Sequence, residues 1–210
     1  MLNYTTMREI LLASQSPRRR ELLAQMGVEY DIVLSNFDEK LDDSRSPEEV
    51  ASELALGKAM AVAKQYPERI VIGSDTIVSV EGRQLEKPHD DDEARELLRL
   101  LSGKPNDVST GVAIVCIADG TQLIGADTTK VFFHPYNEEA VNRYVETGDP
   151  LDKAGAYGIQ SGAAPLIDHI EGYYDTVVGL PTHLLVDLLA QVGIESKAVE
   201  LESPVRQVLD

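Results

Sequence analysis

The feature that most constrains the fold of this chain is the alternation of short apolar runs with segments of helical periodicity. Residues 10–13 and 70–72 form apolar runs, whereas the segment 47–65 carries apolar residues three and four positions apart. Runs of the first kind predict buried strands, and segments of the second kind predict helices packed on them. We therefore predict the α/β class. With 210 residues and 43% hydrophobic content, the chain suits one domain or two tightly joined lobes.

Charge and cysteine content exclude several classes of protein. The 19 basic and 36 acidic residues give a net charge of −17, which opposes general binding to nucleic acid or to an anionic membrane. The single cysteine, Cys116, excludes an internal disulfide framework and lies in an apolar run typical of a core. No apolar run is long enough to span a membrane, and Met1 to Glu9 lack the apolar segment of a signal peptide. We expect a cytoplasmic protein.

A run of three arginines stands where the first predicted strand gives way to a helix. Ser16 is a good N-cap and Pro17 suits the first helical position, so a helix is predicted to begin here. Cations at a helix N-terminus oppose the helix dipole. An anion such as phosphate would compensate, because backbone N–H groups, hydroxyls and guanidinium groups all match its oxygens. Three solvated arginines on a surface turn are an equally compatible interpretation.

The same signals predict the remaining elements. The Asp90–Glu93 cluster is interpreted as the acidic first turn of a helix rather than as a metal site. The tail after Ile194 is polar and is expected to fray. The predicted elements are a strand over 30–34, a loop over 35–45, a helix over 47–65, a strand over 70–72 ending at 73–76, an extended segment over 77–80, a helix closing at 102–103, paired strands over 107–118 and 121–134, a helix from 137 to 146, a hairpin of 164–170 with 173–178, and a helix over 181–192.

Two polar residues do not fit a purely structural interpretation. Lys58 shares a helix face with Val50 and Leu54, so it interrupts an apolar stripe. It either extends to the edge of that face or directs its ammonium into a cleft. Asp75 directly follows an apolar strand, which is where open α/β sheets place ligand sites. A turn aspartate is the alternative interpretation of Asp75.

Cations and carboxylates together provide the groups needed for metal-assisted phosphoryl chemistry. Glu39 and Lys87 lie in separate predicted loops and join the arginines, Lys58 and Asp75. The segment Thr147 to Gln160 is long and irregular, and it is either a functional loop or a plain connector. Because neither a Walker motif nor a dinucleotide-binding glycine motif is present, a P-loop kinase and a Rossmann oxidoreductase are not expected. The four histidines lack metal-ligand spacing and receive no role.

Five ordered sequence blocks resemble those of the Maf-like nucleoside triphosphate pyrophosphatases. The resemblance extends from Ile10 to Val192, so residues 1–193 are expected to form one catalytic domain with two lobes, followed by a polar tail over 194–210. The resembling blocks are Leu12-Ala13-Ser14-Gln15-Ser16-Pro17-Arg18-Arg19, residues 54–59, Gly73-Ser74-Asp75-Thr76, Glu86-Lys87-Pro88, and Asp152-Lys153-Ala154-Gly155-Ala156-Tyr157-Gly158-Ile159-Gln160.

The resemblance implies hydrolysis of a nucleoside triphosphate to the monophosphate and pyrophosphate, with a divalent cation, Mg²⁺ or Mn²⁺. It also implies a long twisted mixed sheet flanked by helices, with two lobes around a central cleft, similar to inosine triphosphate pyrophosphatases. A homodimer is expected. The block ending in Gln160 resembles the branch that cleaves dTTP and UTP rather than the branch that cleaves 7-methyl-GTP. Ser161 departs from the family pattern, which usually has glycine there.

The resemblance also implies roles for individual residues. Asp75 would accept a proton from the attacking water, and Glu39 and Asp75 would hold the metal. The other implied roles are neutralisation of the triphosphate by Arg18, Arg19, Lys58 and Lys87, further phosphate contacts from Ser14 and Lys153, and specificity for the pyrimidine from Arg18, Thr76 and Gln160.

The alternative function is a nucleotide-binding regulator of septum formation and cell division with weak or no catalysis.

Overall fold

The computed structural model describes residues 9–209 and has one eight-stranded sheet with helices against both of its faces. The strands are β1 (Ile10–Leu12), β2 (Tyr30–Ile32), β3 (Ile70–Val80), β4 (Arg83–Leu85), β5 (Pro105–Cys116), β6 (Thr121–Phe133), β7 (Ile167–Glu171) and β8 (Arg206–Val208). The α-helices are α1 (Pro17–Gln25), α2 (Pro47–Ala63), α3 (Asp91–Leu101), α4 (Glu138–Val145), α5 (Tyr174–Val178) and α6 (Thr182–Gln191). Three short 3₁₀ turns, Asp149–Asp152, Ala154–Ala156 and Ala164–Leu166, lie between α4 and β7.

The sheet combines parallel and antiparallel pairs. Its order is β2-β1-β3-β5-β6-β7-β8, with β4 paired to β3 outside that path. The strands β2, β1 and β3 are mutually parallel, β3 to β7 pair antiparallel along the order, and β8 is parallel to β7. The predicted α/β class with a mixed sheet is thus confirmed. The two lobes, the domain limits and the likeness to inosine triphosphate pyrophosphatases stay predictions.

Polar caps begin four of the helices where the sequence predicts them. Ser16 accepts a hydrogen bond from the backbone N–H of Arg19, and Ser46 forms a capping box with Glu49. Asp90 and Asn137 cap α3 and α4 in the same way. Each cap satisfies a backbone donor that the helix itself leaves unpaired.

Glycines on the sheet allow α2 to pack unusually close to it. A Cβ atom at Gly73 would lie 2.2 Å from the carbonyl oxygen of Ala55, and one at Gly111 would lie 2.3 Å from that of Ala51. Both helix residues are fully buried alanines. The backbone of α2 therefore lies almost directly on the strands β3 and β5, which brings the side chains of α2 within reach of polar residues on β3.

The predicted end of the strand over 70–72 is wrong, because β3 does not end at Gly73 to Thr76. It continues to Val80, and Asp75 pairs with Gly111 in the middle of the strand. The neighbouring strand β1 stops at the pair Leu12 to Ile72, whereas β4 pairs only from Val78 onward. Asp75 therefore lies beyond the end of β1 rather than beyond the end of its own strand, in a gap along one edge of β3.

The predicted hairpin over 164–178 is also wrong. Only 167–171 forms a strand, and Tyr174–Val178 is a short helix despite its β-branched and aromatic residues. Side chains of neighbouring strands bind its backbone, since Thr129 donates to the carbonyl of Tyr173 and Thr110 to that of Thr176. Tertiary contacts thus override the local preference for a strand.

The polar tail forms part of the sheet. Residues Arg206–Val208 pair with β7, and the N–H of Gly172 donates to the carbonyl of Val208. Between α6 and β8, the tail packs Val199 and Leu201 against the main core. The expected fraying is therefore not seen over these residues. The prediction for Met1 to Glu9 falls almost entirely outside the described residues.

Within residues 9–209, no helix has the length and apolar character that crossing a membrane requires.

Substitution of Gly111 by alanine tests the close packing of α2. The new methyl group would overlap the backbone of Ala51, so we expect the free energy of unfolding to fall by about 1–3 kcal/mol or more. Chemical denaturation measures this loss. Gly125→Ala is the matched control on a strand, because the atoms nearest to its Cβ belong to the flexible side chain of Leu184, at 3.1–3.4 Å. Equal losses in the two variants would contradict the proposed packing.

Candidate active site

All ten of the predicted site residues line one cleft, with a volume of about 1040 Å³. The cleft lies at the gap beyond the end of β1, between the N-terminus of α1 and the segment that joins α4 to β7. The sequence therefore predicted a set of residues that the fold brings together from distant parts of the chain. These residues are Ser14, Arg18, Arg19, Glu39, Lys58, Asp75, Thr76, Lys87, Lys153 and Gln160.

The three arginines at the start of α1 have three different environments. Arg19 is directed inward, where Nε donates to the carbonyl of Gly179 at 2.8 Å and Nη2 donates to Thr76 Oγ1 at 2.9 Å. Burial lowers the pKa of Arg19 from its ordinary value, although the negative charge of Asp75 opposes this effect. The Arg18 side chain makes no hydrogen bond or ion pair with residues 9–209 and lines the cleft, so its guanidinium is available to a ligand. Arg20 lies outside the cleft and donates to the carbonyl of Gln15.

Lys58 connects the two predicted metal ligands. Its ammonium lies 2.8 Å from Glu39 Oε1 and 3.0 Å from Asp75 Oδ1. The Lys58 side chain is only 11% exposed, so its charge needs these partners to offset the loss of hydration. Of the two alternatives for Lys58, the structure therefore supports the ammonium that enters a cleft.

The two oxygens of Asp75 have different surroundings. Oδ1 accepts a hydrogen bond from the backbone N–H of Thr76 at 2.9 Å and also faces Lys58 and, at 3.8 Å, Arg19. Oδ2 accepts no hydrogen bond from any part of the chain between residues 9 and 209. Asp75 thus has one oxygen fixed by the protein and one oxygen left for water, metal or substrate.

The hydroxyl of Thr76 is part of a hydrogen-bond relay that leads from Arg19 through Thr110 to the backbone of α5. Thr110 Oγ1 donates its single hydrogen to the carbonyl of Thr176, so it must accept in its 3.0 Å hydrogen bond with Thr76 Oγ1. Thr76 therefore donates to Thr110 while it accepts from Arg19. Its hydrogen is used within the protein, and only one acceptor position remains for a ligand.

The segment between α4 and β7 is held by a polar network. Lys153 Nζ lies within 2.9 Å of the Asp149 carbonyl, Asp149 Oδ1 and Asp152 Oδ1, which matches its three donors. Burial opposes ionisation of Asp149, but hydrogen bonds from Ser161, Tyr144 and Lys153 outweigh it and lower the pKa of Asp149. The network supports the interpretation of 147–160 as a functional loop, since it fixes the segment that carries Gln160.

Gln160 and Lys87 are exposed polar residues on this side of the cleft. Their side chains make no hydrogen bond or ion pair with the described residues, so both are available to a ligand. The loop that carries Lys87 is fixed to the α4–β7 segment through the N–H of Gly155, which donates to the carbonyl of Glu86.

Positive charge is concentrated in the cleft relative to the rest of the chain. Five of the 19 basic residues line it, together with five of the 36 acidic residues. The cleft is thus formally neutral in a protein of net charge −17. Lys58 and Lys153 each face two carboxylates, and Arg19 is near Asp75. Arg18 and Lys87 remain as the cations not paired with residues 9–209.

Glu39 and Asp75 offer oxygen ligands to a hard cation. No group of three or more His, Cys, Asp or Glu side chains suited to a metal occurs among residues 9–209. Mg²⁺ is commonly bound through one or two carboxylates, with phosphate and water oxygens as its other ligands. A pair of carboxylates that share one ammonium neighbour and border a cleft open to phosphate fits that mode of binding.

Several residues that shape the site were not predicted from the sequence. Thr110 and the carbonyl of Gly179 hold Thr76 and Arg19, and Gln84 binds the loop that carries Glu39. Strand register decides that Thr110 lies opposite Thr76, and register is not readable from one sequence. Gly179 ends α5 in a left-handed conformation, which glycine favours. This glycine was the local sequence signal that could have indicated a helix end there.

The sequence is similar to known proteins over most of its length. It is 48% identical over 187 residues to a dTTP/UTP pyrophosphatase of Symbiobacterium thermophilum, covering 89% of this chain and 95% of the relative. It is 47% identical over 189 residues to the dTTP/UTP pyrophosphatases of Bacillus cereus strain AH820 and Bacillus anthracis, covering 90% of this chain and 98% of each relative. The sequence model of the family described as Maf-like protein matches residues 9–192. The chain therefore belongs to the Maf-like protein family.

Proposed function

We propose that this protein hydrolyses dTTP and UTP to the nucleoside monophosphate and pyrophosphate. Its relatives at 47–48% identity carry the name dTTP/UTP pyrophosphatase. The observation that carries the proposal is a buried carboxylate, Asp75, with one oxygen free, in the same cleft as the unpaired cations Arg18 and Lys87. Such a cleft combines a proton acceptor with groups that bind the phosphates of a nucleotide.

The proposed reaction is an attack of water on the α-phosphorus. Asp75 Oδ2 takes a proton from the water while the water oxygen forms a bond to phosphorus. The bond from the α-phosphorus to the oxygen that bridges it to the β-phosphate breaks, and pyrophosphate leaves with the electron pair. Lys58 and the backbone N–H of Thr76 hold Oδ1, which fixes the carboxylate in one orientation during the transfer.

Arg18 and Lys87 bind the triphosphate in this proposal. Charge accumulates on the leaving pyrophosphate in the transition state, and fixed cations directed at that charge stabilise it. Both side chains enter the cleft without a partner among residues 9–209, so no ion pair has to break when the nucleotide binds. Arg19, which is tied to Gly179 and Thr76, instead acts as a fixed positive charge beside Asp75.

We propose that Glu39 and Asp75 hold a divalent cation, Mg²⁺ or Mn²⁺, together with phosphate oxygens. When bound, such an ion supplies positive charge that neutralises the triphosphate and polarises the phosphate under attack. The charge balance of the cleft supports this proposal. Five basic and five acidic residues leave it formally neutral, so a triphosphate that enters needs additional positive charge.

Specificity for a pyrimidine is assigned to Gln160. Its amide offers a donor and an acceptor, which match the carbonyl and N–H groups on the edge of uracil and thymine. The network around Asp149 fixes the loop that presents Gln160. Thr76 offers an acceptor position but no hydrogen, so its main contribution is to orient Arg19. The cytoplasmic location remains a prediction from the sequence pattern, and the homodimer remains a prediction from the family resemblance.

Purified protein is expected to release pyrophosphate from dTTP and UTP when Mg²⁺ or Mn²⁺ is present. A panel of dTTP, UTP, CTP and 7-methyl-GTP, assayed for pyrophosphate and for the monophosphate, gives the order of preference. Chelation by EDTA should abolish turnover, and added metal should restore it. Absence of turnover with every triphosphate would overturn the proposal, and tight nucleotide binding without turnover would instead favour a nucleotide-binding regulator.

Asp75→Asn is expected to lower kcat by about 10²- to 10⁴-fold, because an amide cannot accept the proton from water. The amide oxygen still accepts the hydrogen bond from Thr76, so the fold should persist, as thermal unfolding can verify. Asp107→Asn is the matched control, since Asp107 lies on β5 outside the cleft lining and should retain wild-type kcat. Wild-type kcat in Asp75→Asn would show that another group is the base.

Lys87→Ala and Gln160→Ala are expected to separate phosphate binding from base selection. Loss of the Lys87 cation should reduce kcat/KM for all triphosphates alike, by roughly ten- to a hundredfold. Loss of the Gln160 amide should instead change the ratio of kcat/KM for dTTP to that for CTP, because it removes contacts with the base. Steady-state kinetics with both nucleotides measures the two effects. A uniform loss in Gln160→Ala would contradict its assignment to the base.

A further inference from the structure

Glu39 lies in a long segment without helix or strand, yet its carboxylate is held beside Lys58. The segment joins β2, which ends at Ile32, to α2, which begins at Pro47. The Glu39 side chain is 48% exposed, yet its Oε1 lies 2.8 Å from the ammonium of Lys58. A single ion pair with a half-exposed partner is too weak to order a segment of this length, because fixing the backbone of each residue costs about 1–2 kcal/mol of conformational entropy. Other contacts must therefore hold Glu39 in place.

The nearest contact is the aromatic ring of Phe37, which lies on the backbone of α2 at Gly57. A Cβ atom at Gly57 would be 2.3, 2.5 and 2.6 Å from the Cζ, Cε1 and Cε2 atoms of the ring. Phe37 is two residues before Glu39, and Gly57 directly precedes Lys58. The contact of Phe37 with Gly57 is therefore next to the ion pair of Glu39 with Lys58, both along the loop and along α2.

Glycine at position 57 is otherwise unfavourable. In the interior of a helix, glycine costs roughly 0.5–1 kcal/mol relative to alanine, and α2 is otherwise rich in alanine. Gly57 is also not needed for the contact between α2 and the sheet, which involves Ala51, Ala55 and Ala59. What glycine provides here is the space that the Phe37 ring occupies.

A second anchor holds the segment on the other side of Glu39. Gln84 on β4 is 6% exposed, and its Nε2 donates to the carbonyls of Asp42 at 2.8 Å and Arg45 at 3.3 Å. Its backbone N–H donates to Asp43 Oδ1 at 2.9 Å. Glu39 therefore lies between an aromatic contact on α2 and a hydrogen-bonded contact on β4.

We propose that Gly57 and Phe37 are positioning residues that hold Glu39 against Lys58 for the reaction. Neither residue lines the cleft, so each acts through Glu39 rather than on the substrate. Gln84 fixes the part of the segment that follows Glu39, over residues 42–45. Phe37 determines the position of Glu39 along α2. This inference rests on the proposed function, because its main measurement is turnover of the nucleotide.

Gly57→Ala is the first test. The methyl group displaces the Phe37 ring, and the displacement of Glu39 that follows should lower kcat by about ten- to a hundredfold. KM should change little, since Arg18, Lys87 and Gln160 are untouched. Thermal unfolding should show no large loss of stability, because alanine favours the helix. Phe37→Ala removes the ring without altering α2 and should lower kcat similarly.

A double-mutant cycle with Glu39→Gln distinguishes positioning from a general structural effect. If Gly57 acts only through Glu39, Gly57→Ala should lower kcat no further when Glu39 is already glutamine. Ala61→Gly, one turn later on α2 and outside the cleft, is the control. It should lower the melting temperature but leave kcat unchanged.

The outcomes separate this inference from the proposed function. If the wild-type protein turns over no triphosphate, the proposed function itself fails. If the wild-type protein is active and both Gly57→Ala and Phe37→Ala retain its kcat, the positioning role is overturned. Multiplicative losses of kcat for Gly57→Ala and Glu39→Gln would also overturn it, because they would show that Gly57 acts independently of Glu39.

Discussion

The contact of Lys58 with two carboxylates depends on how closely α2 approaches the sheet. Gly73 and Gly111 remove the side chains that would keep the helix at a greater distance, and the helix contributes the small residues Ala51 and Ala55. The ammonium is then buried beside Asp75 and reaches Glu39 as well. A buried lysine is stable only when such partners compensate for lost hydration, so the packing of the helix and the charge arrangement of the site support each other.

The two faces of β3 contact different parts of the site. Residues alternate along a strand, so Asp75 is directed towards α2, whereas Thr76 is directed towards Arg19 on α1 and the carbonyl end of α5. Asp75 is thereby placed with Lys58 and Glu39, while Thr76 joins the relay through Thr110. Two adjacent residues thus connect the Asp75 carboxylate and the arginine environment to opposite halves of the core. A shift of β3 by one residue would exchange these roles and destroy both arrangements.

Local signals were sufficient for the capped helix starts, and local patterns together with the family resemblance named the residues that line the cleft. The residues that support them were not predicted. The caps at Ser16 and Ser46 satisfy their own helices, so the sequence next to them contains the necessary information. The strand β3 was predicted to break at Gly73, because glycine and polar residues usually mark a turn. In the structure these residues stay extended because β5 pairs with them and α2 needs their small size. Such requirements come from segments distant in the sequence, and so do the contacts of Thr110 and Gln84.

Ser161 illustrates how a departure from a family pattern can be accommodated. Glycine is favoured where φ is positive, and in this loop such values occur at Gly155, with 69°, and at Ala156, with 62°. Ser161 does not, so a side chain causes no backbone strain there. Its hydroxyl lies 2.5 Å from Asp149 Oδ2, which also accepts a hydrogen bond from Tyr144. The serine therefore adds a contact, absent for glycine, to the network that fixes Gln160. Ser161 therefore does not disturb the loop. It restricts the position of the neighbouring residue, Gln160.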